Sequence, residues 1–377
     1  MGKRRIERIR CFAVQLPLIR PHVMSHGRVI PTIASTIVEV TDDEGCCGYG
    51  ESTPLSGSYI DGFVESQRAG VARLAPVVAE VDPMAGSTLN TRMDEAVIGH
   101  PTAKAVVDAA LWDLRGKILG SPVVDLLGGK QVEDFPSFEF ISYGSDTETL
   151  LDDVQRSMDA GYRHWQFKVG NDPVSDAKRI HMVLDRIDGH DDYVALDANR
   201  GWPIGEATRF LQLLGNRAVY IEQPCETMEE LAQLRQRFPF AFIADECVRN
   251  ANELIRSFTI GAADAVSLKP ARIGGPTKTA FMSDIAISLG YKMLIDEPLG
   301  GQLADAAMAH LSARIPEKYF LAATNLTGTR ILREDQPWLS GEVIGTNRAR
   351  VTVPDRPGWG VDIDPAGFPG PVFEWRA

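Results

Sequence analysis

Between Lys168 and Lys269 one short pattern recurs at nearly fixed intervals: a few apolar residues, then an ionisable one. The five instances are Phe167-Lys168-Val169-Gly170, Leu196-Asp197-Ala198-Asn199, Ile221-Glu222-Gln223-Pro224, Ala244-Asp245-Glu246 and Leu268-Lys269-Pro270. Successive charged positions are 29, 25, 23 and 24 residues apart. A strand, a loop, a helix and a return loop need about that length. The repeat therefore predicts successive βα units, each delivering one charged side chain just past its strand. In a parallel (β/α) barrel those positions converge on one rim, the rim that carries active sites.

Three converging carboxylates repel one another and need a counter-charge. All-oxygen ligands suit a hard dication, Mg²⁺ or Mn²⁺, and such an ion acts as a Lewis acid on a substrate oxygen. A nearby dication also favours the neutral form of lysine. Asp197, Glu222 and Asp245 are thus the expected metal ligands. Lys168 and Lys269 are the expected acid–base pair, one on each face of a substrate α-carbon. Singly, each residue has a plainer reading: a carboxylate after a strand caps a helix, and a lysine snorkels at a strand end. The combination is what points to chemistry. Asp245 and Glu246 are adjacent, and either could face the ion. Asn199 lies on the same side of an extended chain as Asp197 and could meet the ion's water or the substrate.

The pattern resembles the enolase superfamily, and within it the muconate lactonising subgroup. Lys269-Pro270-Ala271-Arg272-Ile273-Gly274-Gly275 is similar to the subgroup's K-x-x-x-x-G-G signature, and the helix around Asp108, Trp112 and Asp113 to its A-x-x-x-D-x-A-x-W/Y-D-L-x-G-K helix. Pro357-Gly358-Trp359-Gly360-Val361 matches its P-G-x-G-V/I segment. The resemblance implies a Lys base with Mg²⁺, as in other members, and it selects Asp245 as the ligand, leaving Glu246 behind it. One departure stands out: the subgroup's Lys-x-Lys is here Gln166-Phe167-Lys168. Gln166 can only hydrogen-bond, so the expectation is either a more basic Lys168 or one that relies on the metal and on burial. Arg272 is expected to be structural. Asp296 is expected to bind a substrate ammonium or to pair with a lysine. Thr324 and Asn325 stand where the dipeptide epimerases carry Asp-x-Asp, which argues against that activity.

The expected fold is α/β: a (β/α)7β modified TIM barrel with an N-terminal α+β capping domain. A barrel takes about 250 residues, so a chain of 377 leaves room for a cap. We assign 1–130 to the cap, 131–339 to the barrel and 340–377 to a segment returning to the cap. Cap strands are expected at 5–16, 35–40 and 46–49, helical segments over 62–98 broken at Pro76 and Pro83, and a long helix over 100–117. Barrel strands are expected at 136–142, 163–169, 193–197, 219–222, 241–245, 265–269, 292–296 and 319–323. Loops 18–31 and 52–61 would be lids over the barrel mouth, with His22, His26, Arg28 and Tyr59 as substrate contacts.

The net charge of −12 argues against nucleic-acid or anionic-membrane partners. No apolar run reaches membrane-spanning length. The cysteines, Cys11, Cys46, Cys47, Cys225 and Cys247, show no zinc or redox spacing, and a cytoplasmic location is expected. A homo-oligomer is expected by analogy with the family. The activity these residues imply is removal of the α-proton of a small carboxylate substrate, followed by racemisation, epimerisation or loss of water. A proline, hydroxyproline or betaine derivative is the expected substrate type by resemblance. The alternatives are a muconate-type cycloisomerase, a Schiff-base lysine aldolase on the same barrel and a metal-binding barrel without activity.

Overall fold

The structure is a computed structural model. It describes residues 4–57, 59–143, 146–323, 332–333, 335–340, 345–347 and 349–377; Thr324 and Asn325 lie outside the described residues.

The cap is an antiparallel sheet in the order Phe373–Arg376, Ile6–Val23, Val29–Asp42, Cys47–Ser52. Alternation sorts its first long strand between two cores. Ile9 and Cys11 pack with Val71, Leu74, Val106 and Leu114 of the cap helices. Phe12, Val14 and Leu16 face the opposite way, toward Leu303, Trp338 and Trp359. The sheet is therefore buried on both faces, between its own helices and the barrel's last helix. Helix Pro101–Leu119 lies directly on strand Cys47–Ser52. A Cβ at Gly48 would stand 2.3 Å from the Ala110 carbonyl oxygen, and one at Gly50 2.4 Å from that of Val106.

Two local expectations change. Residues 18–31 are the tip of a hairpin and not an irregular loop: the strand continues to Val23, turns through Ser25–Gly27 and resumes at Val29. Pro17 and Pro21 have no N–H to give, and the pairing register shifts between Pro17 and His22 without ending. Helix Val64–Ala79 likewise runs through Pro76, which sits in its last turn. Burial of Leu74, Ala75 and Val78 holds that turn despite one lost hydrogen bond.

The barrel strands are Glu139–Ile141, His164–Lys168, Tyr193–Asp197, Tyr220–Glu222, Ala241–Ala244, Ala265–Leu268, Lys292–Ile295 and Phe320–Ala323. Each is parallel to the next. A parallel bridge from Ser137 to Ala323, with the Phe138 N–H donating to the Ala323 carbonyl at 3.1 Å, joins the last strand to the first. Helices follow the first seven strands, beginning with Thr147–Asp159 and ending with Gln302–Ala313. Their starts are fixed locally: Asp172 accepts from the Ser175 N–H with Pro173 at the first helical position, and Thr227 with Glu230 forms a capping box. Along the strands, Trp165, Phe167, Leu196, Ile221 and Phe242 point outward to the helices. Tyr193, Ala195, Ile243, Ala265 and Leu294 fill the interior. Among the described residues no helix is long and apolar enough to cross a membrane, and all five cysteines are free thiols.

Candidate active site

The inward register that places Ala195 and Ile243 inside the barrel carries Gln166, Lys168, Asp197, Glu222, Asp245, Ser267 and Lys269 to its upper layer. Lys168, Asp197 and Glu222 occupy one continuous rung of paired positions. In a ring of eight strands the second and sixth stand opposite one another, so Lys168 and Lys269 face each other across the mouth. The three acids lie on the arc between them.

All five are buried. Lys168 donates to Asp197, which also accepts from the Asn199 backbone N–H at 2.8 Å and its side-chain amide at 2.9 Å. Burial works against the Lys168 ammonium, but Asp197 and Glu222 outweigh it and raise its pKa. Lys269 donates to both Asp245 oxygens at 3.1 Å, to the Ser267 hydroxyl at 3.1 Å and to Asp296. Burial opposes its charge too, and Asp245 and Asp296 prevail. As the side chains stand, both amines keep their protons against these acids. Asp245 also accepts from Arg272. Burial would raise this carboxyl, but Arg272 and Lys269 hold it well below the usual range.

Glu222 differs from its neighbours. One oxygen accepts from the Gln166 amide at 2.8 Å, while Oε1 is buried without a partner. Burial, then Asp197 and Asp245, push the carboxyl well above its ordinary range. An orphaned oxygen crowded by two acids is an environment that a cation would relieve. Hard oxygen donors on three neighbouring strands fit Mg²⁺ or Mn²⁺ by their chemistry. Among the described residues, no three acidic, His or Cys side chains are gathered tightly enough to hold an ion as they stand; the two flanking acids turn instead to Lys168, Lys269 and Arg272.

The loops behind the acids are strained. Asn199, Arg200 and Gln223 are non-glycine residues with φ of 44°, 63° and 34°, a conformation that costs of order 1–3 kcal/mol and collects at functional sites. The Gln223 side chain accepts from the Asp245 N–H at 2.9 Å, tying the fourth strand's turn to the fifth. Glu246 accepts from the Asn199 amide at 3.3 Å. It is pushed up to about 8 by burial, then by Asp245 and Asp197.

The cap reaches the mouth. Tyr59 is buried with its ring 5.6 Å from the Arg272 guanidinium. Arg28 donates to the Ser25 hydroxyl at 2.8 Å and the Asn199 carbonyl at 3.3 Å, pinning the hairpin tip to the barrel. Of His26 the structure describes only its backbone, in the turn Ser25–Gly27. His22 is buried, edge-on to Phe140 and 2.8 Å from the Ser142 hydroxyl. Burial, then Lys168 and Arg28, press its imidazole down to about 3, so it is a neutral wall. The cavity at the mouth is small, about 40 Å³. Met24 and Leu55 of the cap and Phe138 and Phe140 of the barrel give it apolar walls; Gln166, Lys168, Asp296 and Glu297 give it polar ones. A larger cavity of about 750 Å³ lies beside the hairpin, but none of the five convergent groups lines it.

Two residues outside the sequence-level set belong here. Arg272, expected to be structural, sits one turn past Lys269 on the short helix Pro270–Ile273 and neutralises Asp245. The spacing from Lys269 could have indicated it. Glu297 had no signal beyond its place after the seventh strand. Asp296 pairs with Lys269, one of its two expected roles.

Comparison with known proteins follows the same division of the chain. Residues 7–128 match the mandelate racemase / muconate lactonizing enzyme N-terminal domain, and residues 149–367 the enolase C-terminal domain-like family. A cis-3-hydroxy-L-proline dehydratase from Roseibium aggregatum is 37% identical over 95% of this chain and 96% of its own length. An N-succinyl-L-Arg/Lys racemase from Bacillus cereus is 28% identical over 96% of each. The crystal structure of an enolase-superfamily member from Roseovarius nubinhibens, complexed with magnesium, superposes with a TM-score of 0.90 at 32% identity, covering 99% of this chain and 100% of that one.

Proposed function

The chain belongs to the enolase superfamily, in its mandelate racemase/muconate lactonizing enzyme group, and from that premise we propose that it removes the α-proton of a small cyclic amino acid and expels water from a 3-hydroxyproline. The observation that carries this reading is the pair of buried lysines on opposed strands, Lys168 and Lys269, flanking three acids at one barrel mouth.

Asp197, Glu222 and Asp245 would hold Mg²⁺, or Mn²⁺ in its place, which when bound supplies Lewis-acid charge to the substrate carboxylate and acidifies the adjacent C–H. Acids engaged in that way no longer hold the protons on the amines. Lys168 then becomes a base within reach of the α-hydrogen. Lys269, fixed by Ser267 and Asp296, keeps positive charge on the opposite face. Gln166 orients Glu222. Met24, Leu55, Phe138 and Phe140 exclude water and favour a compact ring over a long charged side chain. That favours the hydroxyproline chemistry of the 37% relative over the substrate named for the Arg/Lys racemase.

The test is incubation with Mg²⁺ and cis-3-hydroxy-L-proline in D₂O, followed by NMR. Loss of water to an imino product is expected, with activity abolished by EDTA. Faster turnover of an N-succinyl amino acid or of muconate would overturn the substrate assignment. Deuterium entering both enantiomers without water loss would make the enzyme a racemase.

A further inference from the structure

Loss of water from a β-hydroxy acid needs two proton transfers: one from the α-carbon to a base, another to the departing oxygen. The amines do not cover both. Lys269 has three N–H donors; Ser267 and Asp296 hold two of them against its own wall, and the third meets Asp245 as the side chains stand. Lys168 serves the opposite face.

Glu297 stands in the right place for the second transfer. It follows the seventh strand, next to the sixth in the ring, and so lies on the Lys269 side of the mouth, across from Lys168. It lines the same cavity as Lys168 and Asp296 and is half-buried where Asp296 and Pro298 on either side are buried. One of its oxygens accepts from the Ala271 N–H at 3.1 Å, which ties the carboxyl to the short helix after Lys269. In cis-3-hydroxy-L-proline the hydroxyl and the α-hydrogen lie on opposite ring faces. An elimination from that geometry needs its base and its acid on opposite walls, as Lys168 and Glu297 are.

We infer that Glu297 is the acid that protonates the departing hydroxyl, an assignment that rests on the dehydration reading above. Lys168 Nζ takes the α-hydrogen as a proton, and the C–H electron pair becomes the Cα=Cβ bond. The Cβ–O bond breaks with its pair on oxygen, which takes the Glu297 proton and leaves as water. Solvent returns a proton to Glu297 and receives one from Lys168. The enamine product tautomerises to the imine. Burial, and then Asp296, push the Glu297 carboxyl up to about 8, so it carries the proton near neutral pH.

The experiment compares wild type, Glu297→Gln and Glu297→Asp, all Mg²⁺-loaded, on cis-3-hydroxy-L-proline and on its 3-chloro analogue in D₂O. Chloride leaves without protonation. With Glu297→Gln, water loss should fall about 100-fold or more, the scale of a lost general acid, while chloride loss and α-deuterium uptake persist; Glu297→Asp should recover part of the water loss. Water and chloride loss falling together, or water loss unchanged, would overturn the assignment alone. A wild type that exchanges the α-hydrogen but never eliminates overturns the dehydration reading, and this assignment with it.

Discussion

His310 gives a sharp test of how the C-terminal segment is fastened to the barrel. It lies in helix Gln302–Ala313, fully buried, edge-on to Trp359. The Val124 N–H donates to Nδ1 at 3.1 Å, and Nε2 donates to the Trp359 carbonyl at 3.2 Å. That pattern puts the single proton on Nε2; a second, on Nδ1, would point at the Val124 N–H. Burial depresses the pKa from 6.5 to about 4. Between those values the unfolded chain binds a proton that the folded chain refuses, so stability is intact above about pH 6.5 and falls as pH drops toward 4. At pH 5 the loss from this one group is about 2 kcal/mol. Urea unfolding at pH 7.5 and pH 5 measures it by comparing wild type with His310→Gln, whose amide can accept from Val124 and donate to Trp359 without titrating. Other histidines contribute to both proteins and cancel. Wild type should lose about 2 kcal/mol more than the variant on acidification. Equal losses would refute the picture of a neutral, doubly bonded His310.

Other consequences are equally open to measurement. Gly50→Ala puts a methyl 2.4 Å from the Val106 oxygen and 2.5 Å from the Ala110 nitrogen, backbone atoms that cannot rotate aside; thermal unfolding should show a loss of at least about 1–3 kcal/mol, and an unchanged Tm would refute the close approach. Gln166→Leu removes the amide that holds Glu222 and should weaken Mg²⁺ binding about 10-fold or more by calorimetry without substrate; unaltered affinity would leave Gln166 without a positioning role. Lys168→Ala should cut α-deuterium exchange about 10²–10⁴-fold, whereas Lys269→Ala should retain measurable exchange. The reverse pattern would assign the base to Lys269.

The barrel and its five convergent groups were readable because two periodicities coincide in the sequence. The interval between charged positions matches a βα unit, and alternation within each strand puts Gln166 with Lys168, Ala195 with Asp197, and Ser267 with Lys269 on the inner side. Neither depends on partners far along the chain. The hairpin tip at 18–31 and the helix through Pro76 were misread because local breakers were outvoted by burial, of His22 against Phe140 and of Val78 against the cap sheet. Glu297 escaped because its meaning comes from its neighbours in the ring, the Ala271 N–H and Asp296.

The state of the lysines follows from charge balance at the mouth. Lys168, Lys269 and Arg272 bring three positive charges, paired with Asp197, Asp245 and Asp296. Three further acids gather there, and each is driven toward its neutral form: Glu222 well above its range, Glu246 and Glu297 to about 8. The site thus stays near neutrality by protonating acids whose charge burial and neighbouring carboxylates disfavour, Glu246 among them although Arg200 stands 3.8 Å away. Gln166 matters in this light. A lysine at 166 would hand Glu222 a counter-charge, ionise it and occupy its oxygens. The amide fixes one oxygen at 2.8 Å and leaves Oε1 without a partner, so Glu222, midway between Asp197 and Asp245 on the strands, is the acid with the most to gain from a cation.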